Sequence, residues 1–130
     1  RVLFRSVAAA AAYDHALPWL DGFLAHLQAR RDQCVQALRR MPGVQVETPD
    51  STYVAFARVD ASALAPGESI EAFVERARVS HRVAVVPGSP RWFGEGAAGH
   101  MRLCFATSEG ILAEGLRRLA AAFAASGAGR

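Results

Sequence analysis

Not one of the 130 residues is lysine. All 15 basic side chains are therefore arginines, which stay protonated and cannot act as amine nucleophiles. Chemistry that needs a side-chain amine must come from outside this sequence. Cysteine is scarce too: Cys34 and Cys104 stand alone, with neither a disulfide framework nor a metal-ligand spacing. That usage points to a reducing, cytoplasmic location. No apolar run approaches the roughly 20 residues of a membrane span, and no secretory signal pattern is present, so no membrane partner is expected. The four histidines, His15, His26, His81 and His100, form no metal-binding spacing, and no metal is expected.

The charge of one sign is also limited. A net charge of +3 and a pI near 9.5 raise the question of nucleic acid. However, 12 acidic residues are interspersed among the arginines, and there is neither a long basic run nor an aromatic RNA-binding motif. No nucleic-acid partner is expected. What is present in quantity is apolar: 52% of the chain, enough for one domain with a modest core.

Read in order, Val7 to about Ala16 is alanine-rich and helical in propensity. Pro18 suits the first turn of a second helix, extending to Met41. Leu17, Leu20, Leu24, Leu27, Arg31, Cys34, Leu38 and Met41 recur at alternating spacings of three and four, which marks one helix side broken once by Arg31. Pro42-Gly43 ends it. Val44–Glu47 and Thr52–Val59 read as strands. In the second, Thr52, Val54 and Phe56 lie opposite Tyr53, Ala55 and Ala57. Ser69 suits a cap for a helix over Ile70–Arg78. Val83–Val86 reads as a buried strand turned by Pro87-Gly88. The loop from Ser89 to Gly99 is long for a small domain, which points to function. Thr107 or Ser108 caps a last helix with Leu112, Leu116, Leu119 and Phe123 inward and Ile111 and Ala120 beside them. Residues 126–130 read as a frayed tail.

Most of the chemical signal lies in Val83–Ser108. Along Met101–Phe105, Met101, Leu103 and Phe105 share an apolar face, and Arg102 and Cys104 the other. A mid-strand arginine can be merely solvated. Beside a loop carrying Gly88, Gly94, Gly96 and Gly99, it can also hold a carboxylate through two parallel hydrogen bonds. Tyr53, Trp92 and Phe93 are secondary candidates for lining such a site, although packing explains each of them as well.

These pieces, Val-Ala-Val-Val-Pro-Gly-Ser, Phe93-Gly94, Gly99-His100-Met101-Arg102-Leu103 and Phe105-Ala106-Thr107-Ser108, resemble the C-terminal part of class I/II aminotransferases, pyridoxal-phosphate enzymes of fold type I. Arg31-Asp32, Pro42-Gly43-Val44 and Thr52-Tyr53-Val54 extend the resemblance from about residue 7 to 124. It implies that Arg102 binds the substrate α-carboxylate. Pro90-Arg91-Trp92 departs from the usual single aromatic before the glycine and blurs substrate preference. The family works from a Schiff base between pyridoxal 5'-phosphate and a lysine. The resemblance therefore implies a C-terminal small domain (18–125), with 7–17 ending a missing large domain that carries the cofactor. No catalytic or cofactor-binding residue is expected in this chain, and the cofactor should not stay on it. The chain begins without methionine, and residues 1–6 match one reading frame of a common sequencing adaptor, so they are expected to be a non-native artefact.

The expected fold is an α/β two-layer sandwich. A small, mainly antiparallel sheet of three or four strands packs one face on the helices, and its other face bears Arg102. The expected function is a share in amino-group transfer between an amino acid and a 2-oxo acid, in a homodimeric complete enzyme, the isolated chain being inactive. A cystathionine β-lyase-like C–S lyase of the same fold is the near alternative. A non-catalytic regulatory domain that binds carboxylated metabolites is the distant one.

Overall fold

The computed structural model describes residues 2–127. Helix α1 (Val2–His15) is joined through Ala16 to α2 (Leu17–Arg39). Pro18 stands in the first turn of α2, where its missing N–H breaks no helical bond. Helix α1 includes Val2–Ser6, the stretch set aside above, and Arg1 lies outside the described residues. From Arg5 to His15 the side chains of α1 are exposed.

The apolar stripe of α2 has two fates. Cys34, Val35 and Leu38 are buried, and Met41 is buried just past the helix end. Leu17, Leu20, Phe23 and Leu24, at the other end, are 37–55% exposed. Periodicity predicts a face that seeks cover; it does not say whether this chain supplies the cover.

After α2 come β1 (Val44–Gln45), β2 (Val54–Val59), a 3-10 turn at Ala61–Ala63, α3 (Ile70–His81) and β3 (Val86–Pro87). A helical turn α4 (Pro90–Phe93), a second 3-10 turn (Glu95–Ala97), β4 (His100–Cys104) and α5 (Glu109–Gly127) complete the chain. The strands form a single four-stranded sheet in the order β1-β2-β4-β3, and all neighbours are antiparallel. This is the expected α/β sandwich.

Register and pleat then sort the side chains. Ala55 pairs with Leu103, Ala57 with Met101 and Phe56 with Arg102. Ala55, Ala57, Met101 and Phe105 are 0–1% exposed and face α2, α3 and α5. The two alanines leave room for helices to lie close to β2. Phe73 of α3 stacks on Phe123 of α5 with ring centroids 4.3 Å apart. Full burial of a side chain such as Phe73 or Phe105 stabilises the fold by about 1.5–3 kcal/mol.

Ser69 caps α3 through its Oγ, which accepts from Ala72 N at 3.2 Å. Arg76 ties the start of α3 to the end of α5. Its Nε and Nη2 donate to Glu68 (2.8 and 3.0 Å), its Nη1 to Ala122 O (3.2 Å) and its Nη2 to Ser126 Oγ (2.5 Å).

Several boundaries are corrected. Ser126 and Gly127, expected in a frayed tail, belong to α5, where Arg76 gives buried Ser126 a partner. Residues 128–130 lie outside the described residues. The third strand is Val86–Pro87 instead of Val83–Val86, since Val83 and Val85 pack against the core before the chain reaches the sheet. Strand β2 starts at Val54 because Thr52 takes a positive φ of 71°. The expected loop from 89 to 99 contains α4 and a 3-10 turn. Ser108, through its Oγ, caps the last helix, and Ile111 is 67% exposed instead of flanking the core.

Candidate functional site

Arg102 sits mid-strand in β4, paired with Phe56 on one side and Val86 on the other. Because β4 alternates, Arg102 projects from the sheet face opposite the core of α2, α3 and α5. Five arginines among the described residues are half-buried: Arg30, Arg31, Arg76, Arg102 and Arg118. Arg30 pairs with Glu109, Arg31 with Asp32, Arg76 with Glu68 and Arg118 with Glu114. Arg102 has no hydrogen bond or ion pair among the described residues. Its guanidinium carbon lies 5.4 Å from the centroid of the Phe93 ring. A half-buried guanidinium with free donors is chemically able to bind an anion.

The cation opens onto a groove of about 560 Å³ bounded by Thr52–Val54, Ala84–Val86, Arg102 and Cys104. Thr52 shapes one wall. A β-branched residue at φ 71° is strained, at a cost on the order of 1–3 kcal/mol. Its Oγ1 accepts from Val54 N at 3.4 Å, and Tyr53 O accepts from Phe105 N at 3.0 Å, so the turn enters β2 held at both sides. Tyr53 is 55% exposed on that wall.

Aromatic rings also stand beside the arginine, outside the groove lining. Phe93 of α4 reaches back over the sheet, its ring 5.6 Å from that of Phe56. Phe56 stacks on His100 at 4.8 Å with planes 6° apart. His100 Nδ1 lies 3.1 Å from Ala98 O. Gly88 secures the base of the loop: its N–H donates to His100 O at 2.6 Å, and a Cβ there would collide with Ala97 O.

Of the sequence candidates, Tyr53 lines the same groove as Arg102, and Phe93 lies against the Arg102 guanidinium. Trp92 points elsewhere; it is 73% exposed and packs under Arg91 instead of lining the groove. Phe56 and His100 went unrecognised as neighbours of the arginine. Alternation alone put Phe56 on the Thr52 face, but its place beside Arg102 needs the β2–β4 register.

Away from this site, His26 Nε2 lies 2.9 Å from Thr107 O, and burial pushes the Cys34 thiol up to about 11. No group of three His, Cys, Asp or Glu among the described residues can hold a metal. No helix among them is long and apolar enough to cross a membrane. A second, mainly apolar groove of about 930 Å³ runs between α2 and α5 on the outer side of the helix layer.

The family model for aminotransferase class I and II matches residues 3–119. The chain belongs to that family. It is 38% identical over 95 residues to the Aquifex aeolicus protein named "Probable aspartate/prephenate aminotransferase", covering 71% of this chain and 22% of that protein. It is 29% identical over 120 residues to cystathionine beta-lyase PatB of Bacillus subtilis, covering 92% and 30%. The aspartate aminotransferase of Rhizobium meliloti superposes with a TM-score of 0.77 at 29% identity, covering 90% of this chain and 30% of that one. The chain thus spans 22–30% of the length of these relatives.

The family implies pyridoxal phosphate as cofactor, and this chain contains no lysine that could bond it as a Schiff base.

Proposed function

We propose that this chain is the substrate-binding small domain of a pyridoxal-phosphate-dependent enzyme that transfers an amino group between an amino acid and a 2-oxo acid. The observation that carries the reading is Arg102, alone among the half-buried arginines in having no acidic partner, aimed into a groove of a family member. Its planar fork suits the α-carboxylate shared by amino acids and 2-oxo acids. Two parallel hydrogen bonds fix that carboxylate and, with it, the Cα–H bond. Orientation of this kind contributes several kcal/mol to rate.

The cofactor and its lysine belong to a large domain outside this sequence. The coverage of the relatives, the absence of lysine and the uncovered apolar end of α2 support that division. On this reading the complete enzyme is a cytoplasmic homodimer, and the isolated chain is inactive. Purified chain mixed with pyridoxal phosphate and dialysed should keep no absorbance above 320 nm. A retained protein-bound band would sink the division of labour.

A second reading is favoured by the PatB likeness: the same carboxylate clamp in a C–S lyase. Product analysis on the complete enzyme separates them. Ammonia and a thiol mean lyase; a new amino acid means transfer.

A further inference from the structure

The aromatic side chains beside Arg102 form a closed circuit on the open face of the sheet. It starts at His100 on β4, crosses to Phe56 on β2, passes to Phe93 on α4 and returns to β4 at Arg102, two residues from its origin. Each step is a ring contact. The register places Phe56 directly opposite Arg102, and His100 lies on the same face as both.

We propose that this column of Phe93, backed by Phe56 and His100, positions Arg102 for a carboxylate ligand. The proposal rests on the reading of Arg102 given above and names what holds the side chain in place. The physical argument concerns donors. An acidic neighbour would orient an arginine but occupy its N–H fork and cancel its charge, as at Arg76 with Glu68. An aromatic face attracts the cation through its quadrupole and takes no donor. The guanidinium is then restricted in rotation with its fork free, which lowers the ordering cost of binding.

Phe93 needs support for this role, because it sits on a four-residue helical turn and is 38% exposed. Phe56 blocks its swing across the sheet. His100 in turn stacks flat on Phe56 and is held at Nδ1 by Ala98 O. Phe93 and Phe56 are positioning residues, and His100 anchors the far end.

The test is an NMR titration of the isotope-labelled 130-residue chain with sodium acetate, against sodium chloride at equal ionic strength. The Arg102 side-chain resonances are identified by their loss in Arg102→Lys. In the wild type, the Phe93 ring current should shift the Arg102 side-chain protons upfield, and acetate should perturb the Nε–Hε resonance. Phe93→Leu should abolish the upfield shift and weaken acetate binding two- to fivefold, equal to about 0.4–1 kcal/mol. Phe93→Tyr, which keeps the ring, should restore both, and its β4 amide fingerprint serves as the folded reference. Phe56→Leu should give an intermediate loss. Wild-type acetate affinity in Phe93→Leu would overturn the column while leaving Arg102 as the ligand. An Arg102 resonance indifferent to acetate in the wild type would overturn the carboxylate reading beneath it.

Discussion

The two faces of the sheet are built from the same strands and have opposite tasks. On the covered face, Ala55, Ala57, Met101, Leu103 and Phe105 are 0–8% exposed, and three helices pack against them. On the open face, one residue further along each strand, stand Val54, Phe56, His100, Arg102 and Cys104, and there the short α4 reaches Phe56 and Arg102 through Phe93. One set of side chains hides from water, and the other holds a cation with its donors free. A shift of register by one residue would exchange the two sets, so burial of the first enforces presentation of the second.

The sharpest break in this comparison is chemical. Cys34 lies under the covered face and Cys104 on the open one. With the Cys34 thiol pushed up to about 11, roughly one molecule in a thousand carries its thiolate at pH 8. A disulfide reagent should therefore titrate one thiol rapidly and the second more than about 100-fold more slowly, until denaturant is added. Two thiols reacting at similar rates would mean that the helix layer does not cover the sheet.

Truncations on the two faces should differ next. Phe105→Ala should lower unfolding free energy in urea by about 3–5 kcal/mol, and Phe56→Ala by less than about 1 kcal/mol. Equal losses would show that the open face is covered in solution. Between the faces lies the loop that brings Phe93 over the sheet. Gly88→Ala has to push Ala97 and His100 apart and should cost about 1–3 kcal/mol, with the largest amide shifts at Phe93 and His100. A silent substitution would remove the close crossing as the reason for glycine.

The smallest effect lies on the outer surface of α5. Arg117 and Arg118 hold the Glu114 carboxyl at about 2, below its ordinary value near 4.5. A carboxylate lowered on folding adds stability above its unfolded pKa, and that stability is lost as pH falls through the folded one. Wild type should therefore weaken slightly more than Glu114→Gln between pH 4.5 and 2, as read by thermal melts. The exposure of the cluster keeps the difference small. Parallel acid profiles would remove any role for the pair.

Much of this was legible in the residues. The period of α2 and α5, the Ser69 cap and the alternation through Met101–Phe105 are local patterns with one geometric meaning each. Arg102 stood out because its strand motif and the glycines beside it fall within one short stretch. The aromatic column was not legible, since Phe56 lies 37 to 46 residues before its partners and stacking leaves no mark in spacing. Thr52 hid its left-handed turn, because β-branching argues for a strand there. Ser126 looked like tail; its place in the core depends on an arginine 50 residues away.

By itself the sequence determined the class of fold, the inward faces of its helices and strands, and the lack of any amine to hold the cofactor of its family. These follow from periodicity and composition, which are properties of neighbours along the chain. Tertiary structure alone decided which half-buried arginine was left without an acidic partner, and which rings stand around it. Pairing and stacking join residues far apart in sequence, and they exist only once β2, β4 and α4 have been brought to the same side of the sheet.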